Sequence, residues 1–144
     1  MSAIDLTISK SSVNVDITVP SKTVDLTISG VRGLPGDNKR VLDITSSATP
    51  TINTDDYDVV NITALAVAIT SMTANLTGTP DNFDNLIFRI EDNGVARAIT
   101  WGAKFVQRGI NLPTTTVANK MLTVGFQYDT VNANWGCIAS VQEV

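Results

Sequence analysis

The sequence predicts an all-β protein: an antiparallel β-sandwich of jelly-roll type, preceded by a short β-strand arm. Three observations predict it. Val, Ile and Thr are abundant, and such β-branched side chains are stiff at χ1 and fit a pleated surface. Short runs of alternating apolar and polar residues recur along the chain. Turn signals separate these runs, and no segment sustains helical periodicity; Leu65–Met72 is the most ambiguous.

The first elements repeat one pattern. Ile4-Asp5-Leu6-Thr7-Ile8, Val15-Asp16-Ile17-Thr18-Val19 and Val24-Asp25-Leu26-Thr27-Ile28 each read apolar–Asp–apolar–Thr–apolar. Period-two alternation gives each strand one apolar face and one Asp/Thr face. Lys10-Ser11-Ser12 and Pro20-Ser21-Lys22 break the runs. Residues 1–29 therefore read as an arm for attachment or oligomerisation. Its buried face would be Ile4, Leu6, Ile8, Val15, Ile17, Val19, Val24, Leu26 and Ile28. Each such side chain gains roughly 1.5–3 kcal/mol when fully buried, and three strands alone make a marginal sheet. This apolar face needs a partner.

Residues 30–50 read as a glycine-marked linker. Gly30, Gly33 and Gly36 fall at every third position. A type II turn, with Pro35 and Gly36 as its central residues, is one reading. A short collagen-like element is the other, and it would imply a trimer.

Residues 51–144 read as the sandwich. The candidate strands are Tyr57–Thr63, Leu65–Thr70, Asn85–Glu91, Ala96–Trp101, Lys120–Tyr128 and Asn134–Gln142. Leu86, Phe88 and Ile90 should share one face, as should Leu122, Val124, Phe126 and Tyr128. Trp135, Cys137, Ala139 and Val141 should share another. Asn93-Gly94 predicts a type I′ hairpin between Asn85–Glu91 and Ala96–Trp101.

Composition narrows function. Fourteen acidic against ten basic residues give a net charge of −4, which argues against nucleic-acid binding. There is no histidine, so the commonest general base and metal ligand are missing. No Gly-x-Ser-x-Gly nucleophile elbow occurs, and nothing singles out a carboxylate pair for glycoside cleavage. The expectation is a protein that is not an enzyme, with no catalytic residues, no cofactor and no metal. Thr54–Asp58 and Asp81–Asn85 could offer oxygen ligands, but neither matches a calcium loop, and solvated carboxylates are the favoured reading. Cys137, the single cysteine, reads as a buried small apolar residue. Trp101 and Trp135 read as core or subunit-interface residues, with contact to a glycan as the alternative. The N-terminus lacks a signal-peptide pattern, and no apolar run is long enough for membrane insertion. Synthesis in a cytoplasm is the expectation.

Specific runs resemble a known family. Pro50-Thr-Ile-Asn-Thr-Asp-Asp-Tyr-Asp-Val-Val-Asn-Ile-Thr63, Leu76-Thr-Gly-Thr-Pro80, Leu86–Gly94 and Ala96–Gly102 are similar to a domain of tailed-bacteriophage fibre and other virion surface proteins. Val124–Tyr128 with Trp135-Gly-Cys137 resembles that domain's closing hairpin. The resemblance implies a virion location, a homotrimer of β-sandwiches and no reaction. It implies a capsid decoration (cement) protein or short head fibre, bound to the major capsid protein or another virion protein through its N-terminal arm. The alternative is a tail fibre or receptor-binding protein that recognises a host-surface glycan.

Overall fold

A computed structural model of the chain describes residues 40–144. The N-terminal arm, with Ile4, Leu6, Ile8, Val15, Ile17, Val19, Val24, Leu26 and Ile28, lies outside the described residues.

The described part is all-β, with no helix. Its strands are β1 (Val41–Ile44), β2 (Thr51–Asn53), β3 (Val59–Leu65), β4 (Asn75–Thr77), β5 (Asn85–Asp92), β6 (Phe105–Val106), β7 (Leu122–Asp129) and β8 (Asn134–Gln142). Six form one sheet in the order β1-β3-β5-β7-β8-β6, and β2 pairs with β4 in a second.

The sheet is mixed, which corrects the antiparallel expectation. β5–β7 and β7–β8 are antiparallel. β1–β3, β3–β5, β2–β4 and β6–β8 are parallel. Parallel neighbours need a crossover, and here the crossovers are wound as strands and bends. From β1 the chain passes Ala48, runs through β2 and returns as β3. From β3 it passes Ile69 and runs through β4, then returns as β5. Successive passes are tied together at the bends: Thr70 N–H donates to Ala48 O at 2.8 Å, and Ile69 N–H donates to Ala98 O at 2.9 Å.

This winding explains two further departures. Leu65–Thr70 and Ala96–Trp101 are expected as full strands, yet Leu65 only ends β3, and beyond it and in Ala96–Trp101 only isolated bridges form, Ile69 to Ile99 and Ala98 to Thr115. The hairpin expected at Asn93-Gly94 does not form. Gly94 has φ +93°, but Asn93 has no positive φ, whereas a type I′ turn needs both. The Asp92 carboxylate accepts from Gly94 N–H and Asn119 N–H, both at 3.0 Å. Asn93 N–H donates to Leu65 O at 3.2 Å. Those bonds carry the chain onto the next pass instead of back along β5. Val41–Ile44, placed in the linker by its sequence, is the edge strand β1. Its backbone pairs with β3 from Val41↔Val59 to Ile44↔Ile62, a partner no local pattern reveals.

One core gathers the buried side chains. Val60, Ile62, Leu86, Phe88, Ile90, Leu122, Val124 and Phe126 come from the large sheet, Ile52 from the small one, and Ile69, Met72, Ile99 and Trp101 from the bends between strands. Phe88 sits edge-on to Trp101, Phe105 and Phe126 at centroid separations of 5.2, 5.5 and 5.8 Å. Such pairs add about 0.5–1.5 kcal/mol each beyond area burial. The faces expected for β5 and β7 are therefore found. That of β8 is found only in part. Phe126 pairs with Cys137 and Gly125 with Ala139, leaving Ile138 as an extra residue. This bulge reverses the alternation. Trp135 and Cys137 point into the core, while Ala139 and Val141 point out.

Candidate functional site

The outer face of the large sheet follows from that register. Val41, Val59, Ile87, Gly125 and Ala139 are successive cross-strand partners and form one row. Asp43, Asn61, Arg89, Thr123 and Val141 form the row beside it. Gly125 has no side chain, and Ile138 and Ala139 cover its position at ordinary contact distance. Ile87, Ile138 and Val141 are 38%, 50% and 64% exposed. The face thus offers an apolar band across the sheet, bordered by Asp43 and Arg89.

A cavity of about 150 Å³ opens elsewhere, where the β4 turn meets the β7–β8 hairpin. Tyr128 and Trp135 are cross-strand partners, and their rings lie 5.0 Å apart. Leu76 and Pro80 add apolar surface; Thr54, Thr73 and Thr77 add hydroxyls; Lys104 is the charged lining residue. Trp135 is only 2% exposed, so the half-buried Tyr128 offers more of the aromatic wall.

The walls are anchored by backbone bonds. Tyr128 N–H donates to Asp84 O at 2.8 Å, and Phe83 N–H donates to Tyr128 O at 3.0 Å. Trp135 N–H donates to Lys104 O at 2.7 Å. Thr54 donates through both N–H and Oγ1 to Thr77 O, at 3.0 and 3.2 Å. Gly78 has φ +114°, and a Cβ there would stand 2.2 Å from Thr54 Oγ1, so only glycine fits this turn. Lys104 Nζ donates to Ala133 O at 3.3 Å. It has no carboxylate partner among the described residues, and the Tyr128 hydroxyl likewise finds no hydrogen-bond partner among them.

Next to Tyr128, Asp129 holds the hairpin end. The Asn132 amide and the Arg108 guanidinium hold its carboxyl well below the usual carboxylate range, although desolvation opposes them. Arg108 also donates to Asn134 Oδ1 at 3.2 Å and lies across Gly136, where a Cβ would collide with it.

The two tryptophans considered for glycan contact part company. Trp101 is 5% exposed within the aromatic core, and its Nε1–H donates to Pro113 O at 2.7 Å. Trp135 lines the cavity. Burial pushes the Cys137 thiol up, against a weaker opposing bond to Ala139 O. The loop acids work locally: the Asp55 carboxylate accepts from Thr79 N–H at 2.7 Å, and Asp84 accepts from Asp81 N–H at 2.8 Å. Among the described residues no group of three or more His, Cys, Asp or Glu could hold a metal ion. Sequence reasoning missed Tyr128 as a site residue, and read Lys104 only with Arg89, Arg97 and Arg108 as a mixed surface or a contact for an anionic partner. The Gly78-Thr-Pro80 turn signal was visible, but nothing local ties it to a hairpin fifty residues on.

No family model, curated protein or solved structure matches this chain.

Proposed function

We propose that the chain is a structural component of a tailed-phage virion, a capsid decoration protein or short head fibre. Residues 1–29 bind the major capsid protein or another virion protein, and the domain beyond them projects from the particle. The two sheets around one core are taken as a small sandwich, and the assembly as a homotrimer. It is not an enzyme and needs no cofactor.

The observation that carries this reading is the outer sheet face. A band of Val, Ile and Ala with Val141 64% exposed is what a subunit contact uses, because apolar surface gains free energy when another chain covers it. Trimerisation would multiply weak capsid contacts through high effective concentration. The test is to delete residues 2–29 and add the truncated protein to particles that lack it. Loss of decoration is expected. Full occupancy by the truncated form would sink the attachment arm.

A second reading, recognition of a host-surface glycan by a tail protein, is favoured by the Tyr128–Trp135 cavity. Its lining combines an aromatic wall with hydroxyls, the mixed surface a sugar requires.

A further inference from the structure

We infer that the Tyr128–Trp135 cavity is a subsite for one sugar ring bearing a carboxylate, with Lys104 as the residue that selects the acid. The inference rests on the second reading, glycan recognition, and is independent of how the arm attaches.

Size sets the first limit. An enclosed cavity of about 150 Å³ accepts benzene, and a sugar unit with its hydroxyls and carboxylate has about twice as many heavy atoms. A cavity of about 150 Å³ therefore takes one face of a single sugar ring, with the rest of the ring and of a chain left outside. Chemistry sets the second. A sugar ring has apolar C–H faces and polar edges. Tyr128, Leu76 and Pro80 supply surface for the faces. Thr54 and Thr77 spend their hydroxyl protons on the carbonyls of Thr77 and Ile52, which leaves their oxygens free to accept from sugar hydroxyls. The Tyr128 hydroxyl is uncommitted among the described residues and can donate or accept.

Charge sets the third limit. Lys104 lines the cavity, and among the described residues no acidic one does. One of its three N–H donors goes to Ala133 O, and the others have no partner among the described residues. In a chain of net charge −4, this is a local positive site. A carboxylate there gains a charge-assisted bond, roughly twice as strong as a neutral one. The anchoring described above means the site is formed before ligand arrives, so little ordering cost opposes binding.

The experiment is titration of the full-length, isotope-labelled protein with methyl glucuronoside, methyl glucoside and propionate, followed by amide NMR. The glucuronoside should move the signals of Lys104, Tyr128 and Trp135 and bind about tenfold tighter than the glucoside. Lys104→Gln should abolish that preference, with the unliganded spectrum changing only near Ala133, whose carbonyl Lys104 Nζ contacts. Tyr128→Phe should weaken both sugars alike. Equal binding of the two glycosides would overturn the acidic class but keep glycan recognition. Propionate binding as well as the glucuronoside would overturn the sugar. No shift at these residues with any probe would overturn the subsite and the second reading together.

Discussion

The wound half of the domain, β1 to β5, and its closing hairpin, β7–β8, reach the same core by opposite routes. In the hairpin, Tyr128 pairs with Trp135 and Asp129 with Asn134, so partners are close in sequence and the turn between them sets the register. In the wound half, Val41 pairs with Val59 and Val59 with Ile87. Each of those pairs requires a whole pass of chain to be closed first, at an entropic cost that local contacts do not offset. The hairpin can place side chains by local rules, and both aromatic walls of the cavity come from it. The wound half supplies the other wall only once its passes have stacked.

Phe88 is where the comparison can be broken most forcefully. It sits on β5, the strand shared by the parallel and antiparallel parts, against Trp101, Phe105 and Phe126. Phe88→Ala should cost about 3–5 kcal/mol, read as a lower urea midpoint. The two tryptophans should report the same transition as far-UV circular dichroism. Separate transitions would mean that the two routes build two independently folding parts.

Asp92 tests the point where the wound half hands the chain onward. Burial pushes its carboxyl up, but bonds from Thr116, Asn119 and Gly94 outweigh this and leave it below the ordinary 3.8. The native state therefore binds its proton less readily than the unfolded chain. The stabilisation is present above the unfolded value and is lost as pH falls below it. Asp92→Asn should cost about 1–3 kcal/mol near neutrality. It should also flatten the fall in urea midpoint between about pH 5 and pH 3. An unchanged acid limb would place the pH sensitivity elsewhere.

The smallest effect should come from the outer face. Val141→Lys should alter the stability of the isolated chain by no more than about 0.5 kcal/mol, since the residue is exposed. Sedimentation should nevertheless show weaker self-association if this face is a subunit contact. A large loss of stability without any change in mass would show that the face serves folding and not assembly.

The legibility of the fold follows the same division. Alternation in Asn85–Asp92 and Leu122–Asp129 placed Leu86, Phe88, Ile90, Leu122, Val124 and Phe126 inward, where they are buried, because side-chain direction depends only on the strand's own period. It misplaced Ala139 and Val141, because the bulge at Ile138 depends on the partner strand. It mistook Asn93-Gly94 for a hairpin, because Leu65 and Asn119, both distant in sequence, hold that turn in place. Of the cavity, Trp135 was legible as a candidate. Lys104 was legible only as one of a run of basic residues; its place beside Trp135 was not, since a backbone bond from Trp135 sets it.

The sequence by itself determined that the described residues are all-β, which faces of their longest strands are apolar, and that histidine chemistry is excluded. Each depends on residue type or on period alone. Only the tertiary structure decided which strands are neighbours, that the sheet is mixed, and that Tyr128, Trp135, Lys104 and the β4 turn enclose one cavity. Those outcomes depend on contacts between distant segments, which form only when the whole core closes.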